Sequence, residues 1–159
     1  LVLMIPRKGA EVAEITEKSL RDVLEVRRAL EELAVELVCE KITDEQIQDL
    51  KDAAEEFKES LKDGDITRIA EADVKFHDVI YMATDNQKLI QLLNNLREQM
   101  YRYRVEYLKR SDFHQQLIDE HEEIIETIES GQKDRAVQVV CQHVDNQVEA
   151  VMDTIRTKK

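Results

Sequence analysis

Four histidines, His77, His114, His121 and His143, carry the metal-type chemistry that this sequence offers. Asp73 and His77 are four residues apart in a stretch of helical character, so the carboxylate and the imidazole share one face. His121 stands ten residues before Gly131 and His143 twelve after it. If the chain turns back at Gly131, the two lie roughly 15 and 18 Å from the turn and face each other at one level. Three imidazoles and one carboxylate drawn from three helices form a donor set suited to a divalent transition ion. His114 is about 10 Å along the axis from His121 and cannot share that ion. Two other readings stay open on the residues alone: the Asp73–His77 pair as a surface ion pair, and the histidines as partly buried groups satisfied by hydrogen bonds.

A second feature is an arginine where an apolar residue belongs. Arg27 falls on the stripe Leu20, Val23, Leu24, Ala34. A buried guanidinium needs an anion, either a bound carboxylate held by its fork or an internal glutamate. Arg104, one turn past Met100, can point the same way, and Asn146, three residues after His143, shares that histidine's face. The run Tyr101-Arg102-Tyr103-Arg104 reads as a mixed core-and-surface stretch. Glu120, Glu122 and Glu123 around His121 read as a solvated face. No glycine-rich phosphate loop, no placeable Ser/His/Asp set and no metal-type cysteine spacing occur. Cys39 and Cys141 read as small buried hydrophobes suited to a reducing compartment.

The elements that must position these groups are helices. From about Ser19 the apolar period is helical, with Leu20, Val23, Leu24, Leu30, Ala34 and Leu37 inward on a first helix to about Glu40. Thr43 with Gln46 makes a capping box for a second helix to about Leu61. Asp65 caps a third, to about Ala83. Asn86 caps a fourth, to about Lys109, with the stripe Leu89, Leu93, Leu96, Met100. Ser111 or Asp112 caps a fifth, to about Ser130, and a sixth runs from about Lys133 to Ile155. The expectation is an all-α fold, an antiparallel bundle of six to seven helices. Residues 1–13 differ: Leu1 to Ile5 and Ala10 to Ala13 read as short strands joined by a turn at Pro6 to Gly9.

Composition agrees. One Pro, three Gly and no Trp among 159 residues favour long helices. A net charge of −12 repels a phosphate backbone, so a broad nucleic-acid surface is excluded. No run approaches the roughly 20 apolar residues of a membrane span, and no leader is visible, so the expected location is cytoplasmic. Because the chain opens on Leu1, a preceding segment is expected.

These segments resemble one family. Val26-Arg27-Arg28-Ala29-Leu30-Glu31, Asp73-Val74-Lys75-Phe76-His77, Asp119-Glu120-His121 and the helix bearing His143, in this order and spacing, resemble the C-terminal effector-binding (FCD-type) domain of GntR-family regulators of the FadR subgroup, over about residues 17–155. The resemblance implies a bundle of six or seven helices and a divalent ion on Asp73, His77, His121 and His143. It implies a small carboxylate effector beside that ion, helped by Arg27; Arg104 and Asn146 are further candidates by their helix positions alone. Zinc heads the candidate metals, and nickel, manganese and iron accept the same donors. Residues 1–13 resemble the end of a wing from a preceding winged helix-turn-helix domain, leaving 14–159 as the effector-binding domain. DNA binding would then reside in the absent N-terminal domain, and the full-length protein would be a homodimer, because operators read by helix-turn-helix proteins are usually two-fold. Two other functions share the residues: a metal-dependent, hydrolase-like enzyme activating water, and a helical dimerisation module with structural histidines.

Overall fold

The computed structural model describes residues 2–5, 9–12 and 16–157. Strands β1 (Val2–Ile5) and β2 (Gly9–Val12) pair antiparallel, with Val2 opposite Val12 and Ile5 opposite Gly9. The expected hairpin is therefore present, its return strand starting one residue earlier than expected. The turn residues 6–8 and the end at Ala13 lie outside the described residues.

The rest is helical: α1 (Glu17–Lys41), α2 (Asp44–Ser60), α3 (Ile66–Ala83), α4 (Gln87–Asn95), α5 (Arg97–Leu108), α6 (His114–Glu129) and α7 (Lys133–Thr157). Local chemistry sets most starts. Thr16 with Ser19, and Thr43 with Gln46, close reciprocal capping boxes on α1 and α2. Asp65 accepts from the Thr67 amide and Asn86 from the Leu89 amide, capping α3 and α4. Gly64 and Gly131 take φ of 71° and 70°, the left-handed conformation that lets α2 and α6 end and the chain reverse.

Two expectations need correction. The stretch from Asn86 to Lys109 is two helices, broken at Leu96, whose amide turns back to Leu93 in a 3₁₀-type bond. Asn94 and Asn95 are weak helix formers, so the break is inexpensive, while the stripe Leu89, Leu93, Met100 runs through it in phase and hides it from a periodicity reading. Helix α6 has no side-chain cap from Ser111 or Asp112: residues Ser111–Phe113 form a 3₁₀ turn that leads into it.

The core divides in two. One apolar cluster joins Ala34, Val35, Val38, Leu50, Ile80, Leu93, Ile124, Ile128 and Val140, among others. The second joins Leu20, Leu24, Phe57, Ile69, Met100, Tyr107, Val144 and Val151, among others. Along α1, the buried residues between them are Arg27 and Glu31, along α3 Asp73 and His77, and along α7 His143 and Gln147. The bundle thus carries a polar layer across its waist. Leu30 and Leu37, expected on the apolar side of α1, are only partly buried, and Glu31, Val35 and Val38 take the fully buried places.

Candidate metal centre

Helix α3 brings Asp73 and His77 to the waist at 0 % and 1 % exposure, which removes the reading of this pair as a surface ion pair. Burial alone would raise the Asp73 carboxyl, but His77, His121 and the Arg104 guanidinium hold it well below the usual carboxylate range. One oxygen, Oδ2, accepts from Arg104 Nε at 2.7 Å and from the Tyr107 hydroxyl at 2.9 Å. The other, Oδ1, is buried without a hydrogen bond and faces two imidazoles, 3.2 Å from His121 Nε2 and 3.7 Å from His77 Nε2.

Helices α6 and α7 supply the facing side. The antiparallel turn at Gly131 sets His121 and His143 at one level, with ring centroids 5.7 Å apart. His143 Nε2 lies 3.4 Å from His77 Nε2. His121 is stacked on Phe76 at 4.0 Å and meets the edge of Phe57 at 4.7 Å, and neither of its ring nitrogens has a hydrogen-bond partner. Burial pushes His77 well below the ordinary histidine value, despite Asp73, and lowers His121 too, which favours rings with a free nitrogen lone pair.

These residues fit a divalent ion. The ligand atoms of His77, His121 and His143 all lie within 4.8 Å of one another. Four donors about 2.1 Å from one centre stand about 3.0 Å apart as octahedral neighbours and about 3.4 Å apart in a tetrahedral arrangement. The separations of 3.2, 3.4 and 3.7 Å bracket the latter spacing. Buried polar atoms normally find partners, and Asp73 Oδ1 and His121 Nε2, 3.2 Å apart, have no hydrogen bond of good geometry, an arrangement that an ion between them would satisfy. His114 is elsewhere, with its Nε2 2.7 Å from the Leu108 carbonyl oxygen.

A model of the FCD domain matches residues 22–146. The chain belongs to the FCD domain family. Among its relatives, the gluconate operon transcriptional repressor of Bacillus subtilis is 29 % identical over 147 residues, covering 89 % of this chain and 60 % of that protein. The regulator LutR of the same species is 30 % identical over 135 residues, covering 82 % and 61 %. In fold, the chain is similar to Escherichia coli McbR/YncC, with a TM-score of 0.87 at 16 % identity over 96 % of this chain and 77 % of that one. It is also similar to the metal-free FCD domain of TM0439, with a TM-score of 0.74 at 21 % identity over 91 % and 99 %. The chain spans 60 % and 61 % of the length of the two curated relatives named here. These relatives are transcription regulators of the GntR type, a non-enzymatic family, so the hydrolase-like reading is set aside.

Within this FCD domain the candidate effector contacts are placed unevenly. Arg27 is 2 % exposed and lies in the waist. Its Nε donates to Glu31, one turn along α1, and its Nη1 to Gln147 of α7, while Nη2 is buried with no partner. The internal glutamate anticipated for Arg27 is thus present and still leaves part of the fork free. Arg104 is buried against Asp73, and charge from that carboxylate offsets the desolvation that would weaken its protonation. Asn146 is half-buried and donates to Glu120 rather than reaching the three-histidine cluster directly.

Residue-by-residue reading missed the support around these groups. Glu120, expected on a solvated face, accepts from His143 Nδ1 at 2.7 Å with its side chain only 12 % exposed. Burial would raise its carboxyl, but His143, Asn146 and Gln116 hold it below the usual value. Glu31 is buried and accepts from the Tyr81 hydroxyl, and Tyr107 and Gln147 were not singled out either. One signal was available: Glu31 is four residues after Arg27, and Gln147 four after His143, which puts each on its partner's face. A groove of about 730 Å³ lined by α1, α6 and α7 reaches Glu120, His143 and Asn146 from outside, and a cavity of about 310 Å³ between α2 and α6 reaches His121.

Proposed function

We propose that this FCD domain senses a small carboxylate at a divalent transition-metal centre held by Asp73, His77, His121 and His143, and passes occupancy to a DNA-binding domain outside the chain. The observation that carries this reading is the buried cluster of three imidazoles with the unpartnered Asp73 Oδ1. On a six-coordinate ion the four protein donors would leave two positions for an acid's oxygens, where the ion would act as a Lewis acid. Zinc is the first candidate, with nickel, manganese and iron behind it.

The chain's own residues divide the work. Arg104 and Tyr107 hold Asp73 by one oxygen and leave the other to face the imidazoles. Glu120 orients His143 through Nδ1, which turns Nε2 toward His77. The free Nη2 of Arg27 offers a donor to a further oxygen of the effector, with Asn146 as a weaker contact. A carboxylate with a neighbouring hydroxyl or keto oxygen suits two open positions, so a hydroxy or keto acid is the favoured class. A plain dimerisation module with structural histidines is disfavoured, because it would leave both nitrogens of His121 buried without partners.

The remaining assignments rest on the family. Residues 1–13 are proposed as the end of a wing from a preceding winged helix-turn-helix domain, and 14–159 as the effector-binding domain. The full-length protein is proposed to be a cytoplasmic homodimer that binds DNA through the absent domain. None of the described helices is long and apolar enough to cross a membrane. The deciding experiment is metal analysis of the purified chain, followed by calorimetry with a panel of small acids on metal-loaded and metal-stripped protein. One metal per chain, lost in His121→Ala, and acid binding that weakens on stripping and in Arg27→Ala are expected. Unchanged metal content in His121→Ala, or acid binding indifferent to both changes, overturns the reading.

A further inference from the structure

A chain of fixed donors and acceptors crosses the waist from α1 to α6. The Arg27 guanidinium has only N–H groups to give, so Gln147 must turn its carbonyl Oε1 toward Arg27 Nη1. Its amide nitrogen is then committed to the other side, where it lies 2.9 Å from His143 Nε2. At the far end the Glu120 carboxylate accepts, so His143 Nδ1 carries the proton and its Nε2 presents the lone pair. That lone pair receives the Gln147 N–H. It is also the one His143 would give to an ion, since Nε2 faces His77 Nε2 at 3.4 Å.

We infer that Gln147 is a displaceable occupant of the metal position on His143: its amide and the metal compete for one nitrogen, and the metal's arrival turns that amide into a ligand-binding donor beside Arg27. This rests on the metal centre proposed above and adds the order of events at it. A coordinate bond outweighs one neutral hydrogen bond by a wide margin, so the amide yields. The released N–H stays tethered through Oε1 to Arg27, whose Nη2 is already buried and unpartnered. Two donors from different helices then face the same space, a pairing that suits an oxygen-rich anion and does not suit an amine. Before the metal arrives, one of those donors is occupied. The domain therefore takes metal first and acid second, and Gln147 is a specificity-determining residue for the acid.

The test uses metal alone. The chain is stripped with a chelator and titrated with Co²⁺, followed by its visible absorption, alongside Gln147→Leu, which keeps the bulk and removes the amide. Gln147→Leu is expected to bind Co²⁺ about three- to ten-fold more tightly, the worth of one lost competing hydrogen bond. Equal or weaker affinity in the folded variant overturns the inference. Because the substitution also strands Arg27 Nη1, a second measurement uses the unaltered chain. The side-chain amide resonances of Gln147 should shift on addition of Zn²⁺ as the imidazole acceptor is lost, and resonances that stay in place with Zn²⁺ bound overturn it. Should the unaltered chain take up neither ion, the metal centre itself falls and the inference with it. Uptake with both readouts unmoved removes the inference alone.

Discussion

The two apolar clusters and the polar layer between them obey different rules. In the clusters, side chains such as Leu20, Leu50, Phe57 and Val144 are at 0 % exposure and need only a neighbour of the right volume. In the layer, equally buried groups need particular partners, and several lack them: Arg27 Nη2, Asp73 Oδ1, His77 Nδ1 and both nitrogens of His121. A buried donor or acceptor without a partner costs about 1–3 kcal/mol, so a layer with five such atoms would be an expensive feature if nothing further bound there. The contrast separates the part of the molecule that makes the fold from the part that stability alone does not explain.

The sharpest way to break this contrast is Asp73→Ala. It removes a proposed ligand and also leaves the Arg104 charge buried without its counterion, so the metal-free chain should lose about 3–5 kcal/mol in denaturant unfolding. A loss under 1 kcal/mol would mean that the ion pair is not structural. Next in size is metal removal from the intact chain. At free metal a hundred times Kd, chelation should lower stability by about 2.7 kcal/mol, seen as a fall in Tm. Leu50→Ala, a cluster change costing about 2–5 kcal/mol, should leave that chelator-dependent difference intact. If Leu50→Ala abolished it, layer and clusters would be one unit.

Smaller effects refine the layer's edges. Glu120→Gln keeps the size of the group but loses the carboxylate that holds His143 Nδ1. Metal affinity should fall about ten-fold with little change in the stability of the stripped chain. Equal affinity would return Glu120 to the solvated face. Smallest of all is His114→Ala, which should leave metal stoichiometry unchanged and cost about 1 kcal/mol for the bond to Leu108. Loss of metal in that variant, with the fold intact, would show that the centre has been misplaced.

The parts of this arrangement visible in sequence are those set by local geometry. Helix period, the capping box at Thr43, the caps at Asp65 and Asn86, and the four-residue spacing of Asp73 and His77 depend on neighbours in the chain. The matched levels of His121 and His143 needed one further assumption, a reversal at Gly131, and its φ of 70° is the conformation such a reversal uses. Glu120 was misread because a glutamate beside two others is usually solvated, and only the packing of α7 against α6 brings His143 to it. Glu31 was passed over for the opposite reason: it sits in a buried row of α1 where its partners, Arg27 and Tyr81, come from two helices. The break at Leu96 was hidden because the apolar stripe keeps its phase across it.

Helix α1 has a consequence beyond burial. It runs unbroken from Glu17 to Lys41, and a capping box at Thr16 ties its first turn. Arg27 stands ten residues inside, roughly 15 Å along the axis from that end. A rod of this kind conveys tilt: if the guanidinium is pulled toward a new anion and α1 swings by about 10°, the Thr16 end travels roughly 3 Å. Under the function proposed above, whatever is attached ahead of Thr16 would be geared to the occupancy of the waist, with the helix as the pointer of the gauge.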